Sequence, residues 1–362
     1  MSDSIQWSDV KTLTVEGKGF DDVDAFYDRL PARAQGSVPD PVWNLSRDSA
    51  GICARFTSDA TALHARWTLR KERLAMEHMP ATGVSGLDLY VRMGGAWRWL
   101  AVGQPTGPTN SVQLCANMPP GVREYLLYLP LYNGVHEAAV GVPAGTSVAP
   151  ATPSPRKPIV FYGTSITQGG CSSRTGTCHT AFLGRWLDWP VVNLGFSGNG
   201  HMDRSVVGLM AEIDAAVYVI DCLPNMKGDL VAERAPEVVR LLRAARPDTP
   251  IVLVEDRTYA DAFLHVDRAE SNRANRAALR QAYEYLQGEG VANLHYLPGD
   301  QLLGADGEDT VDGSHPTDLG FMRQAEALSS AEIYCEYLRV EAPGWSECMD
   351  GEFRLITRRK HV

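Results

Sequence analysis

Val142-Pro-Ala-Gly-Thr-Ser-Val-Ala-Pro-Ala-Thr-Pro-Ser-Pro-Arg-Lys-Pro158 separates two stretches of different grammar. Proline fixes φ and lacks an N–H, so its recurrence among small residues favours an extended connector over a helix or a central strand. Before this connector, short segments of strand character alternate with turn residues, at 51–56, 62–69, 87–92, 97–102 and 124–129. Several alternate apolar and polar side chains at period two, the pattern of half-buried strands. Many short strands with Gly/Pro turns imply an all-β sandwich of jelly-roll type. One or two helical turns are expected near 21–30.

After the connector the pattern changes to strand, loop, helix. Apolar strands are expected at 159–162, 191–194, 216–220, 251–254 and 294–297, with helices at 180–187, 202–213, 230–245, 268–287 and 319–338. Strands alternating with helices imply a parallel sheet covered on both faces. The expected division is a β-sandwich over 1–145, a Pro-rich linker over 146–158, an α/β domain over 159–340 and a C-terminal extension over 341–362.

Length and charge agree with this reading. A chain of 362 residues is long for one domain and suits two. The formal net charge of −10 argues against nucleic acid or an anionic membrane as the main partner, because both reward clustered Lys and Arg. The N-terminus shows neither a basic region nor an apolar one, so no secretory signal is visible and a cytoplasmic location is expected. No run of about 18 apolar residues suggests a membrane span. The seven cysteines, Cys53, Cys115, Cys171, Cys178, Cys222, Cys335 and Cys348, form no CxxC pair and no zinc spacing. They read as free, mostly buried thiols.

In open parallel α/β sheets, ligands bind beyond the carboxyl ends of the strands. The residues following the strands are therefore informative. They are Gly163-Thr-Ser165-Ile-Thr-Gln-Gly169, Gly195-Phe-Ser-Gly198-Asn-Gly200, Asp221-Cys-Leu-Pro-Asn225 and Glu255-Asp-Arg257-Thr-Tyr259, with Asp312-Gly-Ser-His315-Pro316 before the last helix. A serine hydroxyl is a poor nucleophile until a base takes its proton, and a histidine oriented by a carboxylate does this near neutral pH. Ser165 at a strand-to-helix turn, His315 and Asp312 supply those parts. The backbone N–H groups of Ser165 and Gly198 and the amide of Asn225 can serve a developing oxyanion. Each element alone has a plainer reading as turn, cap or loop. Their joint occurrence at one sheet edge carries the argument. The Ser165 loop is not a phosphate-binding P-loop, since no Gly-Lys-Ser/Thr follows. Nor is it the Gly-x-Ser-x-Gly elbow, since Thr167 occupies the last position.

In these residues the C-terminal half resembles the SGNH (GDSL-type) hydrolases, named for Ser, Gly, Asn and His in successive loops. Here they are Ser165, Gly198, Asn225 and His315, with Asp312 three residues before the histidine. The resemblance implies a flavodoxin-like three-layer α/β/α domain. It also implies hydrolysis through an acyl-enzyme with no metal or cofactor, and an oxyanion hole from Ser165, Gly198 and Asn225. Gly86-Leu-Asp-Leu-Tyr90 resembles the GxDLY motif, which names a β-rich domain ahead of one SGNH subfamily. Two positions depart from the usual pattern. Thr164 stands where the nucleophile motif has Asp, and Leu223-Pro224 precedes Asn225 where a glycine is usual.

The expected activity is a serine esterase removing a small acyl group, acetyl above all, from a sugar or other polar alcohol. An acyltransferase using the same acyl-enzyme is the alternative, and a non-catalytic carbohydrate-binding protein is a third reading. His201, Arg257 and Tyr259 are candidate substrate contacts, and His179 is read as a cap or surface residue. Trp97 and Trp99, at period two, are assigned to packing. Asp88 and Tyr90 are read as ordering the β-domain or its junction, one side chain inward and the other outward.

Overall fold

The computed structural model describes residues 4–330. Its first part contains β1 (Ile5–Asp9), β2 (Thr14–Glu16), a short helix α1 (Asp40–Ser46), β3 (Cys53–Ser58), β4 (Leu63–Leu69), one helical turn α2 (Ala81–Val84), β5 (Leu87–Met93), β6 (Ala96–Gly103), β7 (Thr109–Cys115), β8 (Arg123–Tyr128), β9 (Val135–Pro143) and β10 (Val148–Pro150). They form two antiparallel sheets, β1-β9-β4-β7 and β10-β3-β8-β5-β6, with β2 also paired to β3. Phe56, Leu63, Trp67, Leu89, Tyr125, Leu127 and Val140 pack together between them, which makes the expected sandwich.

Strand β5 shows how the alternation is used. Leu87, Leu89 and Val91 enter the sandwich core. Asp88, Tyr90 and Arg92 engage the other half of the molecule. The expectation that Asp88 and Tyr90 point opposite ways is corrected here, because residues two apart in a strand share a face. That outer face is not solvated. Tyr90, Leu126 and Tyr128 join Ile166, Cys178, Ala181 and Phe321 in one apolar cluster between the sandwich and the α/β half.

The second part contains β11 (Ile159–Gly163), α3 (Ser165–Gln168), α4 (His179–Leu187), β12 (Val191–Gly195), α5 (Arg204–Met210), β13 (Val217–Asp221), α6 (Gly228–Ala245), β14 (Ile251–Val254), α7 (Val266–Gly288), β15 (Leu294–Leu297) and α8 (Asp318–Ser330). All five strands are parallel, in the order β12-β11-β13-β14-β15. This is the flavodoxin-like order, with the first strand, β11, second in the sheet and the connection reversing beside it. One face of the sheet packs against α5, α6 and α7 through Val206, Val239 and Leu279, and the other against α4 and α8 through Leu183, Ala325 and Leu328. Three layers result.

Three details differ from the sequence reading. No helix forms over 21–30, and helix α1 comes later. The segment 18–46 leaves the sandwich and covers the α/β half, where Phe20, Leu30, Val42 and Trp43 pack with Val192, Leu194 and Ile213. Arg29 secures it, its buried guanidinium donating Nη1 to the carbonyls of Asn193 (3.0 Å) and Gly195 (2.7 Å) and Nε to that of Asp48 (2.8 Å). Third, the connector is not wholly extended coil, since β10 lies within it and pairs with β3 at the sheet edge. Proline is tolerated there because an edge strand has an unpaired side.

Cys53, Cys171, Cys178 and Cys222 are buried free thiols and Cys115 is partly exposed, while Cys335 and Cys348 lie outside the described residues. So do residues 331–338 of the expected last helix and the extension over 341–362. Among the described residues, no helix is long and apolar enough to cross a membrane.

Candidate active site

Glycine at the end of β11 lets the following turn pack closely against the strand. A Cβ on Gly163 would collide with Thr167 and come within 2.7 Å of the Asp221 carbonyl oxygen. Thr164 then takes an extended conformation and its Oγ1 accepts from the Ile166 amide at 3.2 Å, capping α3. The hydroxyl therefore does local work at the position where the usual motif carries Asp. Ser165 is the first residue of that helical turn and is 7% exposed.

Ser165 Oγ lies 2.8 Å from His315 Nε2, and His315 Nδ1 lies 2.8 Å from Asp312 Oδ2. The other carboxylate oxygen of Asp312 accepts from the backbone amides of Ser314 (3.0 Å) and His315 (2.8 Å). An Asp three residues before the histidine can thus fix the loop and the ring together. Burial pushes the Asp312 carboxyl up, but hydrogen bonds from the His315 amide and ring and the Ser314 amide outweigh it. The carboxyl sits below its ordinary value. The Val311 amide donates to the His315 carbonyl (2.8 Å), and the Ala260 amide donates to the Gly313 carbonyl (2.9 Å), tying this loop to the one after β14.

Gly198 has φ +67°, a left-handed conformation that glycine adopts without strain. The neighbouring Ser197 amide donates to Gln168 Oε1 at 3.0 Å. Asn225 ends a 3₁₀ turn over Leu223–Asn225, and its Oδ1 accepts from the Gly200 amide at 3.1 Å. Its Nδ2 group is thereby the end left to donate elsewhere. A Cβ on Gly200 would come within 2.6 Å of Gly163, so this loop closes directly against the turn that holds Ser165. Ser165, Gly198, Asn225, Asp312 and His315 are thus brought to one sheet edge.

The weaker candidates fare differently. Arg257 is buried and turned inward, with Nη2 donating to both oxygens of Asp221 (2.9 and 3.3 Å), so it holds the end of β13 and not a substrate. Tyr259 is half-buried on the loop that meets Gly313, with the Arg268 guanidinium 5.5 Å from its ring centroid. His201 is tied through its backbone carbonyl to Arg234 Nη1 (2.7 Å). His179 is neither cap nor surface residue. It is fully buried between the rings of Phe161 and Phe321, both ring nitrogens lack a partner, and desolvation followed by the nearby Arg257 charge lowers its pKa to about 3.

Some contributors carried no sequence signal. Tyr132, from the sandwich, donates its hydroxyl to the Ser165 carbonyl at 3.1 Å, and a Cβ on Gly170 would approach that hydroxyl at 2.8 Å. Gln168 bridges the halves, donating to the Leu131 carbonyl at 3.1 Å while accepting from Ser197. His78, on a turn of the sandwich, places its ring centroid 6.1 Å from that of His315. Among the described residues no group of three or more His, Cys, Asp or Glu side chains is placed to hold a metal ion.

A GDSL-like lipase from Bacteroides ovatus is 31% identical to this chain, with a TM-score of 0.88 over 92% of this chain and 98% of its own. The chain belongs to the GDSL-like lipase/acylhydrolase family. The model of that family matches residues 156–331 of this hydrolase, and one for the N-terminus of SGNH-type esterases, the GxDLY domain, matches residues 5–148. Two further solved structures share the GDSL-like fold at lower identity. A salicylyl acyltransferase from a tetracycline biosynthetic pathway aligns with a TM-score of 0.74 at 20% identity, covering 91% of this chain and 97% of its own. A family two carbohydrate esterase from Clostridium thermocellum aligns with a TM-score of 0.55 at 15% identity, covering 79% and 92%. No curated protein matches this GDSL-like sequence.

Proposed function

We propose that this GDSL-like hydrolase is a serine esterase in which Ser165 forms the acyl-enzyme. The observation that carries the reading is the pair of 2.8 Å contacts linking Ser165 Oγ to His315 and His315 to Asp312. In this mechanism His315 Nε2 takes the Ser165 proton as Oγ attacks the ester carbonyl, then delivers that proton to the departing alcohol. Asp312 accepts from Nδ1–H, which keeps Nε2 unprotonated in the resting ring and stabilises the imidazolium once formed. The N–H groups of Ser165 and Gly198 and the Asn225 amide receive the oxyanion. Water, activated by the same imidazole, then releases the acid. The low pKa of Asp312 supports its part, because the carboxylate stays ionised as pH falls into the range where ordinary aspartates begin to protonate.

The substrate we assign is a small acyl ester, acetyl first, of a sugar or other polar alcohol. The fold shared with carbohydrate esterases supports this choice. The same acyl-enzyme captured by an alcohol gives acyl transfer, the reaction named for the salicylyl acyltransferase of similar fold. Ser165→Ala and His315→Ala should each lower kcat on an activated acetyl ester by about 10⁶-fold, as residues of one catalytic unit do. Near-normal turnover by Ser165→Ala would overturn the mechanism. Product analysis with added alcohols separates hydrolysis from transfer.

A further inference from the structure

The GxDLY motif lies in the sandwich, yet its polar side chains face the hydrolase half. Asp88 is buried, and its two oxygens accept from Arg174 Nη1 at 2.8 and 2.7 Å, from Trp99 Nε1 at 2.8 Å and from the Gly176 amide at 3.0 Å. Tyr90 donates to the Gly176 carbonyl at 3.3 Å. The motif glycine, Gly86, is required by packing, since a Cβ there would come within 2.5 Å of the Thr82 carbonyl oxygen. Every one of these contacts except that of Trp99 ends on, or beside the anchor of, one segment of the catalytic half: the loop 171–178 that follows α3.

That loop is wedged between the two halves of the site. It leaves directly from Gly170, whose amide donates to the Ser165 carbonyl at 2.7 Å, and its first residue, Cys171, holds a left-handed φ of +74°. Thr82 of α2 donates to the Ser173 carbonyl at 2.6 Å. On the far side the Ser173 amide donates to Asp318 Oδ1 at 2.9 Å, and the Ser173 hydroxyl also donates to that carboxylate. Asp318 is the first residue of α8, three residues after His315. A continuous line of polar contacts thus runs from Asp88 through Arg174 and Gly176 into the loop, and from Ser173 to the start of the helix beside the histidine.

We propose that Asp88 is a positioning residue of the hydrolase site, fixing loop 171–178 so that the loop holds Ser165 on one side and the His315–α8 junction on the other. Asp88 is fully buried and touches no substrate, so its effect passes entirely through Arg174 and the loop. The sandwich on this account is part of the catalytic apparatus and not an appended binding module. The inference rests on the assignment of Ser165 and His315 as the reacting pair.

The test compares Asp88→Asn, Arg174→Met and their double variant in the full chain, on an activated acetyl ester, with Arg92→Met as control. Arg92 sits on the same face of β5 and pairs with Asp188 at 3.0 Å, away from the loop, so its loss weakens the junction without touching loop 171–178. Each loop-side single variant should lower kcat by about 10- to 100-fold with little change in KM, the usual size for misplacing a reacting group. The double variant should be no worse than the poorer single, and Arg174→Lys should retain more activity than Arg174→Met. Arg92→Met should lower the melting temperature while leaving kcat within about twofold. If Asp88→Asn proves too unstable to assay, Arg174→Met decides alone, because that side chain lies at the partly exposed end of the pair. Equal kcat losses in Arg92→Met and the loop-side variants, or additive losses in the double, would overturn the proposal. An active wild type with inert Ser165→Ala and unaffected Asp88→Asn would sink this inference and leave the esterase reading standing. Activity surviving in Ser165→Ala would sink the esterase reading itself.

Discussion

Asn225 has its carbonyl oxygen occupied by Gly200, so removal of its side chain takes away one donor and frees the glycine loop. Asn225→Ala should lower kcat by roughly 10²- to 10³-fold with a small change in KM, the range found when one oxyanion donor is lost. Thr164 offers a contrast. It caps α3 through Ile166 but donates nothing to the reaction, so Thr164→Ala should cost about 1 kcal/mol in urea unfolding and leave the triad chemistry in place. At this scale the proposed triad was legible because acyl transfer restricts which side chains can act, and its members stand after a strand or just before the last helix. Tyr132, Gln168 and His78 were not legible, since their partners are brought to them only by the packing of one half on the other. Arg257 was misread for a related reason. Its place after β14 was correct, but position along the chain does not say that the side chain turns back to Asp221.

Helix α4 begins with a histidine that the core holds neutral. Its pKa of about 3 in the folded state lies below the ordinary histidine value of 6.5. The buried His179 therefore costs the fold nothing above about pH 6.5 and destabilises it progressively as pH falls toward 3, because the unfolded chain takes up a proton that the native state refuses. His179→Leu keeps the packing between Phe161 and Phe321 and removes this liability. Its melting-temperature advantage over wild type should widen between pH 7 and pH 5, by the equivalent of about 2 kcal/mol at 1.36 kcal/mol per pH unit. Two curves that stay parallel between those pH values would contradict this account. Strands and helices were legible as elements, since period two and buried apolar runs are local properties. Their outward faces were less so. Asp88 and Tyr90 were expected to point opposite ways, whereas both, with Arg92, face α4 and loop 171–178.

Across the whole molecule the two halves share too much surface to unfold separately. Ile166, Cys178, Ala181 and Phe321 are covered by the sandwich, and Val192, Leu194 and Ile213 by the segment 18–46. Calorimetry of the full chain should therefore show one transition, and residues 156–330 expressed alone should aggregate, because both covers are then missing. Two resolved transitions would show that the shared clusters do not couple the halves. The connector at 142–158 was legible from composition, but composition says only where the chain is extended. That 18–46 belongs to the α/β core has no periodic signature, as the segment is irregular up to α1 and its apolar residues pack with strands that follow more than 100 residues later. This separation governs the order of synthesis. When Arg29 leaves the ribosome, the carbonyls of Asn193 and Gly195 that it must meet have not been made, and β1 likewise waits for β9. At 5–20 residues per second the early segment spends about 10 to 30 s without its native neighbours, exposed to wrong ones. Until β12 exists its buried guanidinium has only the carbonyls of Leu45 and Asp48 to meet and lacks the two on β12, which makes premature burial of that segment unfavourable and keeps it available for its proper place.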